Sequence, residues 1–247
     1  MSQNGTMQRV PGRRKMLMQY LDVDATETSD EIQLVQNMDW FRERLGKFPT
    51  GANLLMSGDP GVGKSTLALQ IAAAAATAGQ RVLYLATEQS GDQVRARLDQ
   101  LTDATQVKRY LTIKDDIYDV ALLPQLLSHQ ILREGTDLHG TRLIVVDSLQ
   151  GCGGVSAQNT RAWGGVLEFL RQASSARIST LCLAHMTKSR AISGPRTLEH
   201  ACDVVMLLRY GASCRGLIVQ KNRFGSAQSE PFGLAIDRAT TRLAAKP

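Results

Sequence analysis

From residue 52 onward, short apolar runs alternate with longer segments of helical character. Residues 52–57 (ANLLMS) predict a first strand that leads into glycines. Residues 65–78 are alanine-rich and long enough for a helix, and Gly79 is suited to ending it. The run 81–87 (RVLYLAT) predicts a second strand and 92–101 a helix. A further helix is expected at 122–132, ahead of the strand 143–147 (LIVVD). Another helix follows at 160–173, then strands at 179–184 (STLCLA), 201–208 and 216–220. These runs show little apolar–polar alternation, which is the pattern of strands buried on both faces. The expectation is an α/β fold, with a mostly parallel twisted sheet and helices on both faces. The alanine run 72–76 needs no explanation beyond helix propensity.

Composition narrows the class. A chain of 247 residues suits one α/β domain and leaves little room for a second. Its 43% hydrophobic and 21% charged residues are globular in proportion. The longest unbroken apolar run, 71–76, is too short for a bilayer, and no charged-then-apolar leader opens the chain. Membrane spanning and secretion are therefore not expected. Cys152, Cys182, Cys202 and Cys214 form no CxxC or CxxH pair, which favours reduced, buried thiols in a cytoplasmic protein over zinc or disulfides.

Lys and Arg number 29 against 23 Asp and Glu, a net charge of +6 that allows an anionic partner without requiring one. Its distribution says more than its sum. Arg9, Arg13, Arg14 and Lys15 precede a stretch, 16–40, that holds six acids and no base. Residues 1–40 thus read as a flexible or intersubunit lead-in and 41–247 as the core. An Arg-rich opening also fits an organelle transit peptide, although serine is scarce there.

The chemistry begins at Gly58-Asp59-Pro60-Gly61-Val62-Gly63-Lys64-Ser65, which matches G-x-x-x-x-G-K-[ST] between an apolar strand and a helix; Thr66 follows. Glycines let successive backbone N–H groups turn inward around a phosphate, and the next helix adds its N-terminal dipole. Lys64 is placed to reach the terminal phosphates of ATP, and the Ser65 hydroxyl to ligate Mg²⁺. A chance glycine turn is the bland alternative, and the two flanking elements argue against it. Asp147 ends the strand 143–147, where a carboxylate holds the water shell of Mg²⁺. Glu88 follows the strand 81–87, where it can orient and deprotonate an attacking water. His185 follows the strand 179–184 and is placed to sense the γ-phosphate, though a lone histidine is as readily structural.

Several stretches together resemble the RadA/Sms branch of the RecA-like ATPases: GDPGVGKST (58–66), RVLYLATEQS (81–90), LIVVDSLQ (143–150), AHMTKSRAISGPRTLEH (184–200) and KNRFG (221–225). The last two are the diagnostic ones, and the resemblance covers roughly residues 48–237. It implies a RecA-like P-loop NTPase fold and a hexameric ring with nucleotide sites between subunits. It also implies that Lys221 and Arg223 act on the nucleotide of a neighbouring subunit, Arg223 stabilising charge on the transferring phosphoryl group. Two loops would face a channel for single-stranded DNA, 150–159 and 186–196. The second carries Lys188, Arg190 and Arg196 for phosphate contacts.

Two departures qualify the resemblance. The family's zinc module and Lon-like domain are not expected in these 247 residues, which show no zinc-ligand spacing and run 22 residues past Gly225. The family usually shows two acids after the second strand, whereas Gln89 follows Glu88. The expected function is an ATP-hydrolysing motor on single-stranded DNA in recombination, repair or replication, of branch-migration or helicase type, with recombination or replication proteins as partners. The alternative is an ATP-switched interaction protein that recruits a partner without translocation. A nucleotide kinase is a more distant third, because no lid segment with clustered arginines is visible.

Overall fold

The computed structural model describes residues 30–35, 38–102, 104–117, 119–153, 159–187, 189–237 and 240–246. Nine strands form one sheet in the order β3-β2-β4-β5-β1-β6-β7-β8-β9. They are β1 (Asn53–Gly58), β2 (Arg81–Ala86), β3 (Leu111–Lys114), β4 (Thr141–Asp147), β5 (Ser179–Ala184), β6 (Val204–Tyr210), β7 (Arg215–Asn222), β8 (Gln228–Ile236) and β9 (Leu243–Ala245). Every pair from β3 across to β6 is parallel. From β6 outward the pairs are antiparallel. The switch follows from the connections, since the short links between β6, β7 and β8 leave no room for a crossover. The expected parallel core is present, and its C-terminal strands extend it as a meander.

Alternate residues of the central strands feed two cores. Leu54, Met56, Val82, Tyr84, Leu143 and Val145 pack on one face, and Leu55, Leu83, Leu85, Ile144 and Val146 on the other. Both faces are apolar, so the strands read as unbroken runs. The first face is covered by α1 (Asp39–Leu45), α2 (Lys64–Thr77), α3 (Gly91–Leu101) and α4 (Ala104–Tyr110). The second carries α5 (Leu122–Leu126), which continues as a π-turn over Leu127–Ile131, and α6 (Thr160–Ser175). A last short helix, α7 (Arg196–Ala201), precedes β6.

Helix α2 is buried all round. Every residue from Leu67 to Ala76 is buried, and Ala72 and Ala75 are fully so. Its alanines therefore do more than favour helix: small side chains let the helix lie between the sheet and α4. That closeness seats the start of α2 at the end of β1.

Several expectations change. The helix expected at 122–132 is α-helical only over Leu122–Leu126. The strand expected to start at 201 starts at Val204, because residues 196–201 form α7 behind Pro195, a residue that suits a helix start. Elements α1, α4, β3, β8 and β9 carried no signal that the apolar pattern resolved. The boundary placed between 40 and 41 falls inside packed structure. Ile32, Leu34 and Met38 are buried, the Ile32 N–H donates to Phe48 O at 2.7 Å, and Asp30 pairs with Arg177. The packed body thus reaches back at least to Asp30, and the basic opening lies outside the described residues. Cys152, Cys182 and Cys202 are free and buried, with burial pushing the Cys152 and Cys202 thiols up to about 12. No described helix is long and apolar enough to cross a membrane.

Candidate functional site

The site is built where β1, β2, β4 and β5 end. Strand β1 stops at Gly58, and α2 begins at Lys64 after a left-handed N-cap, Gly63 (φ 109°). Gly58 is required by close approach, since a Cβ there would sit 2.0 Å from the Leu208 carbonyl oxygen of β6. The loop between is held from inside by Lys64, whose Nζ donates to Gly58 O at 2.9 Å and Asp59 O at 3.0 Å. Burial lowers the Lys64 pKa, while Asp147, Glu88 and Asp59 oppose that shift. A partly desolvated ammonium held by two carbonyls has the chemistry to take phosphate oxygens in their place.

Ser65 and Asp147 meet across the site, with Ser65 Oγ donating to Asp147 Oδ1 at 3.0 Å. The other carboxylate oxygen, Oδ2, accepts from the Tyr84 hydroxyl at 2.6 Å. Tyr84 is 1% exposed and Asp147 7%. Burial raises the Asp147 pKa, and the bonds from Tyr84 and Ser65 work against that rise by favouring the charged form. A hydroxyl beside a carboxylate is a hard oxygen donor set that fits Mg²⁺. Ser65 would ligate the ion and Asp147 would hold its water shell; when bound, the ion supplies positive charge beside the terminal phosphates. No cluster of three or more His, Cys, Asp or Glu suited to a metal occurs among the described residues.

Glu88 and His185 converge on Ser148. Ser148 Oγ donates to Glu88 Oε1, His185 Nε2 lies 2.8 Å from the same oxygen, and Ser148 Oγ and His185 Nε2 are 3.4 Å apart. The Thr87 hydroxyl donates to Ser148 O at 2.6 Å, locking the end of β2 to the end of β4. Gly151 allows this approach, since a Cβ there would lie 2.3 Å from Thr87 Oγ1 and 2.7 Å from Glu88 Cγ. Gln150 then ties the cluster onward. Its Oε1 accepts from the His185 N–H at 3.0 Å, and its Nε2 donates to Ser193 O at 3.0 Å.

The structure therefore brings Gly58–Thr66, Asp147, Glu88 and His185 together, and it keeps the other expected residues apart. Pro60 and Gly61 are exposed at the loop tip and Val62 is buried beneath it. Lys221 Nζ donates to the carbonyls of Glu199, His200 and Cys202, at the C-terminal end of α7. Arg223 pairs with Asp203 at 3.0 Å and donates to His200 O at 3.2 Å. Asp203 precedes Val204, which pairs with Leu54, whereas the phosphate loop starts where Gly58 pairs with Leu208. Lys221 and Arg223 are thus roughly 16 Å of strand away from their own chain's loop, at the opposite end of the parallel strands. Arg190 and Arg196 are exposed on the segment after β5, Arg190 in a turn with φ 62°. Lys188 and residues 154–158 of the first loop lie outside the described residues.

Sequence reasoning missed Tyr84, Ser148, Thr87 and the bridging role of Gln150. For Tyr84 a signal existed: a tyrosine inside an aliphatic strand must find a partner for its hydroxyl. Tyr84→Phe keeps the ring and removes the hydroxyl that donates to Asp147 Oδ2. The expected loss is about 1–3 kcal/mol of unfolding free energy, the cost of a buried acceptor left unpaired. Denaturant unfolding measures it, and unchanged stability would mean that another donor has taken over.

The AAA domain family matches residues 18–191. The DNA repair protein RadA of Mycobacterium tuberculosis is 36% identical over 193 residues, covering 74% of this chain and 37% of that protein. RadA of Synechocystis is 36% identical over 200 residues, 74% of this chain and 38% of that protein. RadA of Chlamydia trachomatis is 31% identical over 215 residues, 83% and 44% respectively. The chain thus spans about two-fifths of the length of these curated relatives. In structure it is similar to a KaiC-like protein of Pyrococcus horikoshii OT3, with a TM-score of 0.69 and 15% identity, covering 87% of this chain and 100% of that one. The shared architecture is the α/β RecA-like P-loop NTPase fold.

Proposed function

The chain belongs to the AAA domain family and has a RadA-like core, and on that premise we propose that it is an ATP-hydrolysing, single-stranded-DNA-binding motor of DNA recombination, repair or replication. The observation that carries the ATPase is the convergence of three strand ends on one phosphate loop. Lys64 and Ser65 stand at the loop, Asp147 ends β4 within hydrogen-bond reach of Ser65, and Glu88 lies beside Ser148 and His185. In this reading Lys64 holds the β- and γ-phosphates, and Ser65 and Asp147 orient Mg²⁺. Glu88 takes the proton of the attacking water, and His185 senses whether the γ-phosphate is present.

The position of Lys221 and Arg223 supports a site completed by a second copy. Neither reaches its own chain's loop, yet both are presented at an end of the sheet that a neighbouring subunit could meet. A ring, with six copies as the working number, would set each Arg223 against the next chain's nucleotide. Arg190, Arg196 and Lys188 would then contact DNA phosphates, through contacts indifferent to base sequence. Gln150 supports coupling between the two, because it bonds the end of β5 and Ser193 together and sits two residues after Ser148. The protein would work in the cytoplasm, with branch migration or unwinding as its output.

The test is the ATPase rate with and without saturating single-stranded DNA. Stimulation of about tenfold is expected, falling steeply as salt rises because counterion release drives phosphate contacts. An unchanged rate, with no DNA binding at low salt, would sink the motor. Slow hydrolysis that is indifferent to DNA, with ATP-dependent oligomers, would instead mark an ATP-switched assembly protein.

A further inference from the structure

The catalytic side of the phosphate loop accounts for the triphosphate and leaves the rest of the nucleotide unplaced. Asp147 ends β4, and Glu88 and His185 follow β2 and β5; all three strands lie on one side of β1 in the sheet. Terminal phosphates must face that side. The nucleoside then leaves the loop away from it, and β6 and β7 flank β1 on the other side.

That flank carries an aromatic side chain in an unusual position. Tyr210, the last residue of β6, is 54% exposed, more than any other large apolar side chain among the described residues. An exposed tyrosine alone means little. This one is tied to the phosphate loop at both ends of its hairpin. Its own N–H donates to Asp59 Oδ2 at 3.1 Å. Its cross-strand partner Arg215 donates from Nε to Val62 O at 2.8 Å and holds its guanidinium 5.7 Å from the Tyr210 ring centroid. The phenol itself reaches the loop tip, for a Cβ built on Gly61 would lie 3.3 Å from the Tyr210 hydroxyl. Further in, Leu243 of β9 closes against Gly63, where a Cβ would lie 3.2 Å from its Cδ1.

We propose that Tyr210, braced by Arg215, is the platform on which the base of the bound nucleotide stacks. The proposal rests on the nucleotide-binding reading of the loop and adds the subsite that distinguishes a nucleotide from a bare polyphosphate. A ring face with a guanidinium beside it suits a flat, polarisable heteroaromatic. Stacking reads the face of a base rather than its edge, so the platform favours the larger purines while discriminating little between ATP and GTP. The two hydrogen bonds to Asp59 and Val62 keep it in register with the phosphates, which lowers the entropic cost of ordering it on binding.

The test is equilibrium binding of ATP, GTP and inorganic tripolyphosphate, each with Mg²⁺, to the full chain and its variants. Tyr210→Ala should weaken ATP and GTP about tenfold and leave tripolyphosphate unchanged, while Tyr210→Phe should bind all three as the parent does. Lys64→Ala should lose all three ligands, which checks the phosphate loop separately. ATP binding by Tyr210→Ala at parental strength would overturn the platform. So would an equal loss of ATP and tripolyphosphate, because Tyr210 would then only brace the loop. A parent chain that binds none of the ligands would overturn the nucleotide-binding reading and the platform with it.

Discussion

Lys64→Ala should leave the protein folded and unable to hold or turn over ATP. The side chain is the one cation inside the loop, on the residue that opens α2, and its Nζ spans the carbonyls of Gly58 and Asp59. Those bonds are within the loop's own backbone, so the lysine costs little to remove in the absence of ligand. With ligand present its loss leaves several phosphate charges without their nearest point charge. Affinity should fall at least about 100-fold, equivalent to about 3 kcal/mol, and hydrolysis to background. A titration with a fluorescent ATP analogue measures the first and phosphate release the second, with the thermal midpoint as the control for folding. Parental affinity in a folded variant would remove this loop as the nucleotide site. Lys64→Arg should not rescue it, because a planar fork does not fit the position that a compact ammonium fills between two carbonyls.

Glu88→Gln separates binding from chemistry. The glutamine keeps the length and polarity of the side chain, so it can still meet Ser148 and His185. It cannot accept a proton from water. ATP binding should remain within about threefold of the parent, and kcat should fall about 100-fold or more, the usual worth of a positioned general base. Near-parental turnover would remove Glu88 from that role. The same variant tests where Arg223 acts. Arg223→Ala should also bind ATP and fail to hydrolyse it. In a mixture of the two variants, some interfaces pair an intact Glu88 with an intact Arg223 from the other subunit. Partial recovery is expected if the site is shared, and its absence would place the whole site within one chain. The separation inside one chain, with Arg223 on Asp203 at the far end of the strands, is what makes recovery the expected result.

Much of this site was legible because its chemistry is local. A phosphate loop is a run of consecutive residues, so Gly58 to Ser65 could be identified before any packing was known. Glu88, Asp147 and His185 each end or follow an apolar run, and a polar residue at the close of a buried strand marks the edge where such sheets bind ligands. The parallel core was legible for a related reason: strands buried on both faces carry no alternation, and β1, β2, β4 and β5 carry none. The edge elements were harder. β8 runs QSEPFGLAI with three consecutive exposed residues, a proline among them, and β9 is three residues long. Such strands owe their existence to a neighbour already in place, which no window of sequence contains. Ile32 and Leu34, within the stretch taken as lead-in, are buried in the same core as α1 and α2, a packing that no local pattern announces.

What the sequence determined by itself is the glycine-rich loop of the candidate site, the succession of buried strands along the chain and the acidic and imidazole groups at their ends. Each depends on residues adjacent in the chain. What only the tertiary structure decided is which of those groups meet. Tyr84 orients Asp147 from a strand 63 residues away, Gln150 joins His185 to Ser193, and Tyr210 reaches Gly61 from the other side of β1. The fold likewise placed Lys221 and Arg223 at the opposite end of the strands from the loop of their own chain. Hydrogen bonds require atoms within about 3 Å, and side chains on separate strands acquire that proximity only when the order and register of the sheet are set.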